Sequence, residues 1–97
     1  MPVKPPSEEM RRHRADIDAL DVEIARLLGQ RFDIVKTVAK HKKERGIPAV
    51  LPDRIQEVVE HARELGEQNH VDPDLMEGIY RMIIKHACEF EDKVISR

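Results

Sequence analysis

The chain has 97 residues, of which 37% are charged, 40% hydrophobic and only 3% aromatic, with no Trp and four Gly. This suits one small helical domain with one core and excludes a second. The single Cys excludes an internal disulfide, no apolar run approaches the roughly 18 residues of a membrane span, and a formal net charge of -2 argues against general nucleic-acid binding.

Pro2, Pro5 and Pro6 predict a flexible, extended segment over residues 1–6, which lacks the apolar stretch of a secretory signal. A cytoplasmic protein without a membrane partner is therefore expected, with one helical domain over 7–97. Ser7 is placed to cap a first helix whose opening turn carries Glu8 and Glu9, both favourable to its dipole. Nothing interrupts that helix until Gly46 and Pro48, so it should run for roughly 38 residues, or roughly 57 Å. Pro52 is suited to open a second helix with Ile55, Val58, Val59, Ala62 and Leu65 on its buried side, turning near Asn69. Asp72 and Pro73 then cap and open a third. Its apolar side is Leu75, Ile79, Ile83, Ala87, Phe90 and Val94, with Glu91 beside Ala87 and Phe90. The fold class expected is all-α, with three helices of which the first is very long.

The first helix carries the chemistry. Ile17, Leu20, Ile24, Leu28, Val35 and Val38 recur at the spacing of one helix face. Arg31 fills the gap in that stripe, and Arg14 and Lys42 extend it at either end. Cations on an apolar face must find a partner, and a small anion is the partner expected. Arg31 and Lys42 lie roughly 16 Å apart along the axis, close enough for long side chains to converge on one ligand. Arg14 lies a further 25 Å or so back and cannot reach that ligand from the same chain. Antiparallel pairing of two chains brings it there, which predicts an intertwined homodimer with two shared sites. Arg11-Arg12-His13-Arg14 and Lys40-His41-Lys42-Lys43 otherwise read as solvated faces. His13, His41, His61, His70 and His86 show no ligand spacing, so no metal is expected. Cys88 reads as a small buried hydrophobe.

Arg14-Ala15-Asp16-Ile17-Asp18-Ala19-Leu20-Asp21, Leu28-Gly29-Gln30-Arg31, Lys42, Ile47-Pro48 and Pro52-Asp53-Arg54, in this order on three helices, resemble the all-helical chorismate mutases. The resemblance runs from about Arg14 to Val94. It implies the interlocked homodimer of the type II architecture and a Claisen rearrangement of chorismate to prephenate, with no cofactor and no covalent intermediate. By position, it implies that Arg14 crosses from the partner to hold one substrate carboxylate and Arg31 holds the other. Lys42 would donate to the ether oxygen, and Arg54 would sit at the mouth of the site. Leu51, Ile55 and Ala87 complete the implied substrate-binding set, and Glu91 joins Arg31 and Lys42 as catalytic. The chemistry suits these residue types: the substrate is a dianion, and a pericyclic step needs a cavity that holds a reactive geometry and positive charge at the breaking C–O bond.

Three positions depart from the mutase pattern. Leu51 and Ile55 stand where typical mutases have polar or acidic contacts to the ring hydroxyl. Glu91 stands where most members use glutamine, and an ionised carboxylate accepts only, whereas a protonated one donates to the ether oxygen. Apolar residues near Leu51 and Ile55, with Leu28-Gly29-Gln30-Arg31-Phe32-Asp33, Val35-Lys36, Ile47-Pro48-Ala49 and Glu77-Gly78, resemble the isochorismate pyruvate lyase branch, which yields salicylate. Cys88-Glu89-Phe90-Glu91-Asp92 resembles the amino-deoxychorismate mutase branch, whose substrate ammonium could pair with Glu91. A non-catalytic, anion-binding helical dimer is the alternative of another class. The segment from Lys43 to Leu51 is expected to be a mobile loop.

Overall fold

A computed structural model describes residues 3–97; among them, three α-helices form and no strand does. They are α1 (Glu8–Arg45), α2 (Pro52–Gln68) and α3 (Pro73–Ile95). Two positions of the expected flexible segment, Met1 and Pro2, lie outside the described residues, and residues 3–7 carry no regular structure.

Local chemistry places each helix end. The Met10 N–H donates to Ser7 Oγ at 3.1 Å, which satisfies one of the amides that a helix start leaves without a partner. The chain leaves α1 through Gly46 at φ 66, with the Ile47 N–H donating to the Lys42 carbonyl at 2.9 Å. A left-handed residue there suits glycine, which has no Cβ to clash. Lys43, Glu44 and Arg45 are therefore helical, and the connection expected from Lys43 is confined to 46–51. Pro52 opens α2 behind an extended Leu51 that offers no side-chain cap. Asp72 caps α3 by accepting from the Asp74 N–H at 2.9 Å, with Pro73 next. Between α2 and α3 the turn relies on His70, a non-glycine residue at φ 59, and on a Val71 N–H to Gly66 carbonyl bond of 2.8 Å.

The chain resolves into two compact units, Met1–Asp33 and Ile34–Arg97. In the first, every described residue up to Gln30 is exposed, while Arg31 and Phe32 are half-buried. Ile17, Leu20, Ile24 and Leu28 thus lie open along α1.

In the second unit α2 packs on α3 through small residues. Val59, Ala62 and Gly66 of α2 and Ala87 of α3 are buried, with Ala39 of α1 and Ala49 of the connection. Burying a valine contributes about 2 kcal/mol, but no large side chain is fully buried among the described residues. The core is thin. On α3 the expected face is packed at Ile83, Ala87, Phe90 and Val94, whereas its first-half members Leu75 and Ile79 are exposed and Met76 is half-buried instead. The buried stripe of α3 is thus displaced by one residue in its first half, from Leu75 to Met76. None of the described helices is long and apolar enough to cross a membrane.

Candidate active site

The buried charges of the Ile34–Arg97 unit centre on one ammonium. Lys42 sits in the last turn of α1, three residues after the fully buried Ala39, so its stem runs along apolar surface while its head is held inside. Its Nζ lies 2.7 Å from Glu91 Oε1, with only 13% of the lysine side chain and 7% of the glutamate side chain exposed. The same Nζ donates to the Ala49 carbonyl at 2.9 Å. Glu91 Oε1 accepts no directed hydrogen bond despite the short separation. The pair is thus a close ion pair rather than a well-aimed hydrogen bond.

Glu91 is brought inside by α3, one turn after Ala87, and both are buried. Cys88, half-buried beside them, places Sγ 4.0 Å from the Ala49 carbonyl that holds Lys42. Burial pushes the Cys88 thiol pKa up, the Glu91 charge pushes it further, and Lys42 opposes both. The thiol is therefore a poor nucleophile and serves as packing.

Two open depressions lie on this unit, one of them bordered by Cys88. One of about 280 Å³ is lined by Val50, Ile55, Ile84 and Cys88, together with the charged Arg81, Lys85 and Glu89. The other, about 410 Å³, is lined by Leu51, Pro52, Asp53, Arg54 and Glu57. Leu51 and Ile55, assigned to one substrate ring by resemblance, line different depressions. Arg54 pairs with Glu57 at 3.1 Å, and both side chains are about two-thirds exposed. Lys42, Glu91 and Ala87 therefore come together, with Ile55 reached through Cys88 and Arg54 on the outer wall with Leu51. Arg14, exposed, and Arg31, half-buried, belong to the Met1–Asp33 unit.

Two features escaped the sequence. The Ala49 carbonyl is main chain, and residue type does not announce its direction. Arg63 of α2 donates to Asp74 at 2.8 Å and to Glu77 at 3.0 Å, and Glu77 accepts from Arg81 at 2.7 Å. The i,i+4 spacing of Glu77 and Arg81 is readable, but the reach of Arg63 across the α2–α3 turn is not. No cluster of His, Cys, Asp or Glu suited to a metal occurs among the described residues.

The chain matches the family described as chorismate mutase type II over residues 13–92. It is 32% identical over 89 residues to a 4-amino-4-deoxychorismate mutase of Streptomyces venezuelae, spanning 92% of this chain and 86% of that protein. It is 30% identical over 79 residues to a chorismate mutase of Methanocaldococcus jannaschii, spanning 81% and 80%. Identity to an isochorismate pyruvate lyase of Pseudomonas aeruginosa is 35% over 72 residues, spanning 73% and 69%.

Proposed function

Because the chain belongs to the chorismate mutase type II family, we propose that it catalyses the cofactor-free Claisen rearrangement of chorismate to prephenate in a homodimer with shared sites. One observation carries this reading: a lysine ammonium nearly excluded from water and held by a main-chain carbonyl and one carboxylate. A pericyclic step breaks a C–O bond and forms a C–C bond without a proton transfer. The ether oxygen gains negative charge on the way, and a preorganised cation there lowers the barrier more than it would in water.

In this reading Arg31 and the partner's Arg14 each clamp one substrate carboxylate through the planar guanidinium fork, which fixes the enolpyruvyl chain over the ring. Lys42 supplies the point charge at the ether oxygen. Arg54 guides the dianion at the entrance, and Leu51, Ile55 and Ala87 enclose the ring. The exposed apolar residues Ile17, Leu20, Ile24 and Leu28, with the thin core, support a second copy as the cover of α1.

A second reading has one specific support. Glu91 is a buried carboxylate whose Oε1 meets the Lys42 ammonium at 2.7 Å and no aligned donor, and a substrate ammonium would be a second cation for it, which favours rearrangement of amino-deoxychorismate. The deciding experiment supplies chorismate, isochorismate and amino-deoxychorismate separately and identifies products. Prephenate from chorismate as the most efficient conversion supports the first reading, and preference for the amino substrate supports the second. Salicylate and pyruvate from isochorismate as the dominant products would make the chain a lyase. Turnover of none, with Arg31→Ala altering only binding, would make it an anion-binding module.

A further inference from the structure

Lys42 is engaged at both of its ends by the segment that follows it. Its main-chain carbonyl accepts from the Ile47 N–H at 2.9 Å, and its ammonium donates to the Ala49 carbonyl at 2.9 Å. The chain thus leaves α1, turns through Gly46 at φ 66, and folds back onto the side chain of the helix it has just left. Ala49 is buried, and its carbonyl rests against Cys88 Sγ of α3 at 4.0 Å.

An ammonium has three N–H donors on a flexible stem. The Ala49 carbonyl takes one of them, and Glu91 attracts the head electrostatically from the side. Together they fix the rotation and depth of the head, which leaves a donor in a defined direction for a ligand. We propose that Gly46 is a positioning residue for the reaction: its left-handed turn delivers the Ala49 carbonyl, seated against Cys88, to the Lys42 ammonium and so aims that ammonium at the ligand. This rests on the catalytic reading of Lys42 given above. It adds that the aim is set by main chain and by a glycine that touches no substrate.

Gly46 offers a clean handle because a Cβ there meets nothing within 4 Å. A substitution acts through backbone conformation alone. Asn tolerates the left-handed region, whereas a β-branched residue does not. The experiment compares Gly46→Val and Gly46→Asn in the full chain and in a Lys42→Gln background, with lysine side-chain nitrogen NMR on the free protein.

Gly46→Val is expected to lower kcat about tenfold with little change in KM, as a misaimed catalytic group does. Gly46→Asn should restore most of it, and Gly46→Val should add no further loss where Lys42 is Gln. The hydrogen-bonded Lys42 ammonium signal should be lost in Gly46→Val and kept in Gly46→Asn. An equal loss of activity with and without Lys42, or a Lys42 signal unchanged in Gly46→Val, overturns the proposal. If no chorismate-type substrate is turned over, the catalytic reading falls, and the NMR comparison still decides whether Gly46 aims Lys42.

Discussion

Lys42 and Glu91 face each other at 2.7 Å from different helices, α1 and α3, and both are nearly excluded from water. Each charge is tolerable inside because the other is present. The carboxylate that makes the lysine tolerable also competes with a substrate anion for it.

That competition predicts the behaviour of Glu91→Gln. The amide keeps the shape, removes the negative charge beside Lys42 and Cys88, and supplies an N–H donor that an ionised carboxylate lacks. Glu91→Gln should therefore raise kcat/KM on chorismate about tenfold, the worth of one transition-state hydrogen bond. Steady-state kinetics check it, and an unchanged or lowered kcat/KM refutes the competition of Glu91 with the substrate.

Cys88 reports on the same pair without substrate. Its thiol pKa is raised by burial first, then by Glu91, against the pull of Lys42. A raised pKa means less thiolate at a given pH, so alkylation by iodoacetamide should be slow near neutrality, with its midpoint above that of a free cysteine. Glu91→Gln should move the midpoint down, and Lys42→Gln should move it up.

The α2–α3 turn offers opposite stability changes at neighbouring positions. A Cβ on Gly66 would stand 2.8 Å from the Val71 carbonyl oxygen and 3.3 Å from Pro73 Cα, both main-chain atoms that cannot swing aside. Gly66→Ala should therefore destabilise by about 2 kcal/mol. His70 holds a left-handed φ of 59 without being glycine, so His70→Gly should stabilise by up to ~1 kcal/mol. Urea unfolding of the two variants measures both.

Glu77 ties α3 to α2, and its titration should be visible in stability. Its carboxyl is held below the ordinary value of 4.5, chiefly by the Arg81 hydrogen bond; desolvation comes next and opposes it, and the Arg63 hydrogen bond and the two guanidinium charges add to the lowering. A depressed folded pKa contributes stability that is fully present above the unfolded value and disappears as pH falls through the folded one. The melting temperature should thus decline on acidification below about pH 4.5. Glu77→Gln should lower it at neutral pH and weaken that acid-side decline. Because the group is solvent-accessible, added salt should shrink the difference.

The helices were legible in the sequence because their ends are local chemistry: Ser7, Gly46 with Pro48, Pro52, and Asp72 with Pro73. The pairing of Lys42 with Glu91 was half legible. Both residues stood out as charges on apolar faces, but their mutual distance depends on how α3 packs. Leu75 and Ile79 show the limit of periodicity, which finds the apolar face of α3 but not how much of its length is covered within one chain. The Ala49 carbonyl was illegible for a different reason, since its direction follows from loop dihedrals rather than from any side chain.

The last prediction tests whether Arg14 acts across a dimer. Arg14→Ala and Arg31→Ala chains should each be nearly inactive alone, because each loses a carboxylate clamp in both sites. When the two are mixed and exchanged, half of the dimers carry one chain of each kind. In such a dimer, the site that takes Arg31 from one chain and the partner's Arg14 from the other is intact, and the second site lacks both. About one site in four is then restored, so activity should recover to roughly a quarter of the unaltered protein. If Arg14 served the site of its own chain, no combination would rebuild an intact site and mixing would recover nothing. Sedimentation of Leu20→Asp provides the structural counterpart. A charge on this exposed apolar position should weaken dimerisation and, with so thin a core in each chain, lower the melting temperature in a concentration-dependent way.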